Sequence, residues 1–359
     1  MKNYKENQVA AIMLRGDCVE NRYLAHVAVV DLAGKNIYGF GDPRRITLAR
    51  SAIKPAQALA IIETGALERF SFDEADLALM CASHSSEDYH LERAIQMLAK
   101  AGVNEIDMRC GGHPALSKSA NLSWIKNDFV PGAICNNCSG KHIGMLAAAK
   151  ALASPVANYH LPDHPLQIHV KRTITKVCGL TDAEIKWATD GCNLPTPAFR
   201  LDRLAHLYAM LANAEDCVVG KIGAYNNPQI CALAKIFRAM TTYPELVAGE
   251  GRFCTEIMKA FDGKLVGKLG ADATYAIGIR ASTDTLQLGS NGAIGIAVKV
   301  EDGNIDVMYA IVCEVLRQLG IGGVSEHEKL QSFHHPQLRN TMNIEIGRLI
   351  FPFIMKKID

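Results

Sequence analysis

Ala49–Gln57 reads ARSAIKPAQ and runs into the apolar segment AQALAIIETG, which ends at Gly65. Pro55 in a first turn and Gly65 as a stop predict a helix over about residues 51–64. On such a helix Ser51 and Lys54, three apart, share one face with Cβ atoms about 5–6 Å apart. An amine then comes within reach of a hydroxyl. Serine becomes a strong nucleophile only when a base takes its proton, and a lysine serves as that base only when uncharged, a state favoured by burial or a second cation. At the helix start Ser51 also meets the positive end of the helix dipole. Ser-x-x-Lys is thus a minimal device for acyl transfer without histidine. In isolation the tetrapeptide is more often ordinary helix surface, so the remaining sequence has to decide.

Outward from this segment, Val9–Arg15, Ala25–Asp31 (AHVAVVD) and Asn36–Gly41 (NIYGFG) read as strands, the last two joined by a turn at LAGK. From about residue 67 to 262 the pattern changes to helices separated by Gly and Pro loops. Glu74–Met80, Asp88–Ala101 closed by Gly102, Leu201–Ala212, Ile230–Met240 and Pro244–Phe261 are the candidates. Strands return at Lys264–Gly267, Thr274–Ala281 and Ala293–Val300, followed by an amphipathic helix over Asp306–Leu319 and a short strand near Leu349–Ile354. This order predicts an α+β fold, one antiparallel sheet built from both chain ends with a helical insertion. The predicted lobes, within a single unit spanning 1–359, are a sheet lobe of residues 1–66 and 263–359 and a helical lobe of residues 67–262.

Composition narrows the function classes. A net charge of +1 over 359 residues, with no basic run, argues against nucleic acid or an anionic membrane surface as the main partner and leaves a small molecule. No stretch reaches 18 apolar residues, and the start MKNYKENQ lacks the layout of a secretion signal, so a cytoplasmic location is expected. Eleven cysteines, an odd number scattered through helical and strand-like segments, do not read as a disulfide framework.

Several further residues carry chemical potential. In CASHSSED (Cys81–Asp88), Ser85 and Ser86 read as helix caps, whereas Ser83 lies too early to cap and is freer to face a site. Lys268 in GKLG reads either as a turn lysine in water or as a second cation that keeps Lys54 uncharged and orients Ser83. The segment CNNCSGKH and the later TDGCNLPTP offer Cys135, Cys138, His142 and Cys192 as a tetrahedral zinc set, the alternative being buried thiols with no metal. Arg50 and Asp190 are the charges placed to meet the carboxylate and ammonium ends of an amino acid, unless each makes an ordinary surface ion pair. His334 and His335 have no partner at ligand spacing and read as structural.

Taken together, LARSAIKPAQALA, LMCASHSSED, RCGGHPALS, CNNCSGKH, TDGCNLPTPAF, VAGEGRFCT and VGKLGADATYAIG resemble the rhizobial-type, or class 3, L-asparaginases, over nearly the whole chain. The resemblance implies a fold similar to serine β-lactamases and penicillin-binding proteins, hydrolysis of L-asparagine to L-aspartate and ammonia, and a homodimer. It implies two Ser-Lys pairs, falling on Ser51 with Lys54 and on Ser83 with Lys268. It also implies a zinc ion beside the substrate held by Cys138, Lys141 and Cys192, in place of Cys135 and His142, with Asp190 supporting that region. The β-lactamase pattern itself is not met: no S-D-N follows Ser83, and Leu269 stands where K-T-G would have its threonine. The competing readings are a glutaminase of similar fold, a β-lactamase or peptidase, and a non-enzymatic zinc protein.

Overall fold

A computed structural model describes residues 8–358, which divide into two compact units. One comprises the chain up to Ala52, Phe199–Asp216, and the residues from Glu256 onward; the other comprises Ile53–Ala198 and Cys217–Thr255. Among the described residues no helix is long and apolar enough to cross a membrane.

The first unit is organised by an antiparallel sheet that recruits strands from both chain ends, giving the α+β architecture. Its order is Leu338–Arg339, Glu345–Ile350, Val9–Arg15, Cys18–Val30, Ile294–Val300, Thr274–Ile279, Leu265–Gly270. The long Cys18–Val30 strand pairs with Val9–Arg15 through its first half, and with Ile294–Val300 and Asn36–Phe40 through its second. Leu265–Gly270, Thr274–Ile279 and Ile294–Val300 are buried at every position, because both faces are covered and apolar residues need not alternate with polar ones. Close cover is possible where side chains are missing: a Cβ on Gly295 would meet the Ala205 carbonyl at 1.8 Å, so the Leu201–Gly220 helix lies with its backbone directly on the sheet.

The second unit is helical. Lys54–Glu63 buries every residue from Lys54 to Ile61, and Ser139–Ala151 every residue from Ser139 to Ala149, so each helix is enclosed on all sides and its few polar side chains are buried with the apolar ones. Asp88–Ala101 presents a buried stripe and stops at Gly102, whose φ of 60° suits a left-handed cap.

Three sequence expectations are corrected. Pro244–Phe261 is two helices, Pro244–Val247 and Phe253–Ala260, because Gly249 (φ 129°) and Gly251 (φ 66°) turn the chain between them. Ser85 and Ser86 do not cap the helix that follows; Glu87 holds that position. Lys268 is not in a turn but inside the Leu265–Gly270 strand, paired opposite Ala276.

Candidate active site

In the sheet-bearing unit, Arg50–Ile53 forms a single 3-10 turn, and the α-helix begins only at Lys54, with Pro55 in its first turn. Arg50 takes φ 49°, an unusual conformation for a side chain of this size. Its guanidinium pairs with Asp272, whose carbonyl also accepts from Lys299 Nζ. The turn is held on two further sides. Tyr208 donates its hydroxyl to the Ala52 carbonyl at 2.8 Å, and Gly270 lies so close that an added Cβ would stand 2.6 Å from the Ala49 carbonyl. Two residues before Gly270 on that strand, Lys268 is 1% exposed and donates to the Leu269 carbonyl at 2.9 Å. Ser51 itself is half-buried.

In the helical unit, Lys54 has no exposed surface; its Nζ donates to the Ala82 carbonyl and, at 3.1 Å, to Ser83 Oγ. The structure thus gives Lys54 a serine neighbour, Ser83, which the resemblance pairs with Lys268. Ser83 is fixed by its own N–H, which donates to the Val247 carbonyl at 2.9 Å. The serines after it serve the loop. Ser85 Oγ donates to the Ala248 carbonyl at 2.8 Å and accepts from Arg252 at 3.1 Å, while Ser86, at φ 62°, donates to the Cys135 carbonyl at 2.8 Å. His84 Nδ1 accepts the Ser86 N–H at 3.1 Å, so its proton sits on Nε2 and is given to Ser139 Oγ at 2.8 Å. Burial holds His84 well below its ordinary range, and a neutral ring already donating to Ser139 is not a base for that hydroxyl.

The second helical-unit cluster gathers Cys138, Lys141, Cys192 and Asp190. Cys138 opens the Ser139–Ala151 helix, and Lys141 lies in that helix's first turn. Cys192 and Asp190 sit on the loop between the paired strands Lys186–Thr189 and Pro195–Arg200. Lys141 Nζ is 3.0 Å from Cys192 Sγ, and Asp190 Oδ2 is 3.5 Å from that sulfur. The Cys138 thiol, hydrogen-bonded to Cys192, lowers the Cys192 thiol to about 5, helped by the Lys141 cation and opposed by burial. The same hydrogen bond, with burial, pushes Cys138 up to about 12. Burial works against the Lys141 ammonium, but Cys138, Cys192 and Asp190 together hold it above its ordinary value. The cluster thus favours the charged forms of Cys192 and Lys141 and the neutral form of Cys138.

The tetrahedral set chosen from spacing does not assemble. Among the described residues no three histidine, cysteine or carboxylate side chains stand together as a metal site. Cys135 lies instead by Gly132 and Glu105, and His142 Nδ1 is taken by the Tyr159 hydroxyl. The histidines at 334 and 335 are structural as read: His334 Nε2 bonds Glu314 at 2.9 Å inside the sheet-bearing unit. Asp272, Tyr159, Asn136 and Asn193, which hold these groups in place, had no local signal, since each acts on backbone or side chains far away in sequence. Comparison with curated proteins finds no match. The profile of the L-asparaginase II family, by contrast, aligns with residues 11–351. Motifs from both units fall inside that one continuous match, and the chain belongs to the L-asparaginase II family.

Proposed function

We propose that this protein is a class 3, rhizobial-type L-asparaginase that hydrolyses L-asparagine to L-aspartate and ammonia through a serine nucleophile activated by lysine. The family match over residues 11–351 carries the activity. The mechanism is supported by the fully buried Lys54 amine on Ser83 and by the sequence resemblance. An uncharged amine has two hydrogens and one lone pair. With the hydrogens directed to the Ala82 carbonyl and Ser83 Oγ, the lone pair is left to accept a proton from Ser51. The Ser51 oxygen attacks the side-chain amide carbon, and backbone N–H groups stabilise the resulting oxyanion. Ammonia leaves with a proton relayed through Ser83 and Lys268, and water then releases aspartate from the acyl-enzyme. Arg50 and Asp190 are assigned to the carboxylate and ammonium of the substrate.

The cluster of Cys138, Lys141 and Cys192 fits a zinc ion, with two sulfurs and one amine as its protein donors and the Cys192 thiol lowered toward its ligating form. Bound there, zinc would help to hold and select the substrate rather than generate the attacking group. The fold assigned by the resemblance is that of the serine β-lactamases and penicillin-binding proteins. The same resemblance implies a homodimer.

Ammonia release tests the reading, with wild type, Ser51→Ala and Lys54→Met each offered L-asparagine and L-glutamine and the zinc content measured on every sample. Turnover of L-asparagine that both substitutions abolish, with zinc retained, is the expected result. The extra methylene of L-glutamine is worth about 1–3 kcal/mol in a pocket, so equal turnover of both amides would reassign the protein as a glutaminase. Full activity in Ser51→Ala would remove the nucleophile from the mechanism.

A further inference from the structure

Three neighbours of the sulfur and amine cluster bond to one tripeptide. Asn136, two residues before Cys138, donates through Nδ2 to the Cys110 carbonyl at 3.1 Å and the Gly111 carbonyl at 2.9 Å; its Oδ1 accepts the Cys138 N–H at 2.9 Å. Asn193, next after Cys192, donates to the Arg109 carbonyl at 3.1 Å. Tyr159 Oη accepts the Arg109 N–H at 3.1 Å and shares a hydrogen bond with Nδ1 of His142, the residue after Lys141. Arg109 uses its carbonyl on Asn193 and its N–H on Tyr159, whereas the Cys110 and Gly111 carbonyls both meet Asn136.

We infer that Arg109–Gly111 is a common frame fixing the spacing of Cys138, Lys141 and Cys192, and that Asn136, Tyr159 and Asn193 are positioning residues for zinc. The physical need is clear. The donors come from the start of one helix and from a strand-connecting loop. A metal, however, tolerates donor distances only within about 0.2 Å. Polar bonds to a third segment tie the two elements together and can set that spacing. The Cys110 thiol is itself turned to the Ala133 carbonyl at 3.4 Å, which leaves that residue's backbone to serve the frame. The inference rests on the zinc reading above.

Tyr159→Phe deletes one hydroxyl, and Asn193→Gly deletes one side chain at a residue whose φ of 72° glycine adopts freely, so both variants are built to fold. Zinc(II) affinity is read by competition with a chromophoric chelator, alongside cobalt(II) charge-transfer absorption from the thiolates and melting of the metal-free protein. Each variant should bind zinc about 10–100-fold more weakly with a shifted cobalt spectrum and unchanged metal-free melting. Because both act on Arg109, the double variant should lose less than the product of the two. Affinities within twofold of wild type, independent losses in the double variant, or losses matched by a collapse in metal-free melting would each overturn the frame. If wild type and Cys138→Ser take up zinc equally poorly, the zinc reading fails and the frame with it; if wild type binds, Cys138→Ser does not, and the two variants bind normally, the frame alone fails.

Discussion

Replacing Lys54 by Met separates the chemistry of this site from its stability. The lysine has no exposed surface and makes two hydrogen bonds, to the Ala82 carbonyl and Ser83 Oγ. Met keeps the length and shape of the side chain, so no cavity opens. The Ala82 carbonyl loses a donor, at about 1–3 kcal/mol for a buried acceptor left unsatisfied. Against this, the folded protein no longer has to take an amine out of water, a desolvation cost of similar size. The two nearly cancel, and at about 2–4 °C per kcal/mol a net change within about 1 kcal/mol moves the melting midpoint by no more than about 4 °C. Activity behaves otherwise. Removing a proton acceptor from the transition state costs about 10²–10⁴ in rate, or about 2.7–5.5 kcal/mol of barrier. Steady-state ammonia release and thermal melting on the same preparation give both numbers. A variant that melts normally and keeps more than about a tenth of wild-type kcat/KM refutes the base assignment. One that loses both activity and structure gives Lys54 to the core instead.

Zinc binding should expel protons in a count that identifies the donors. With Cys192 near 5, Cys138 near 12 and Lys141 raised, two of three donors hold protons at neutral pH, so zinc affinity should rise about 100-fold per pH unit. In Lys141→Met the slope should halve on a logarithmic scale, and a wild-type release of one proton, read by calorimetry in buffers of different ionisation enthalpy, removes Lys141 from the shell. Gly270→Ala would press a methyl against the Ala49 carbonyl at 2.6 Å and the Ala52 nitrogen at 3.3 Å, both backbone atoms of the segment carrying Ser51. We expect at least a tenfold loss of kcat/KM, about 1.4 kcal/mol, and unchanged kinetics would show that this turn does not hold the nucleophile. Burial raises Glu314, but hydrogen bonds from Arg317, His334 and Gln318 outweigh it and leave the carboxyl near 2. A depressed carboxylate stabilises above its unfolded value near 4.5, and that stability drains as pH falls through about 2. Melting of Glu314→Gln should lack this acid slope; parallel curves for the two proteins would contradict it.

The elements that could be read from sequence are those whose causes are local. Glu74–Met80 and Asp88–Ala101 were legible to the residue, the first because Asp73 and Asp76 form a reciprocal cap and the second because Gly102 ends it. Strands at both chain ends were legible from period and composition, and they do join one sheet. What failed was set by distant packing. GKLG reads as a turn, yet pairing with Thr274–Ile279 draws Lys268 into a strand buried at all six positions. Apolar spacing runs through Pro244–Phe261 without a break, and only two glycines with positive φ divide it.

The candidate site divides along the same line. Ser51 and Lys54 are marked by their spacing, because i and i+3 is a local relation. The Ser83 partner of Lys54 is not, since the bond joins a helix start to a loop after another helix. Cap logic misassigned Ser85 and Ser86 because it assumes that a hydroxyl ahead of a helix turns to that helix's free N–H groups. Here Ser86 is in a left-handed conformation, and both hydroxyls point at carbonyls of the Cys135 and Ala248 segments. Zinc-ligand logic misassigned Cys135 and His142 for a related reason. It ranks residue types by their usual donor role, which favours histidine over lysine. The fold sets which atom each helical residue offers: Lys141 Nζ meets the Cys192 sulfur, while Nδ1 of His142, one residue on and rotated by about 100°, bonds the Tyr159 hydroxyl. A one-residue step along a helix thus separates Lys141, which meets the sulfur of the facing loop that carries Cys192 and Asp190, from the histidine that ordinary donor preference selects.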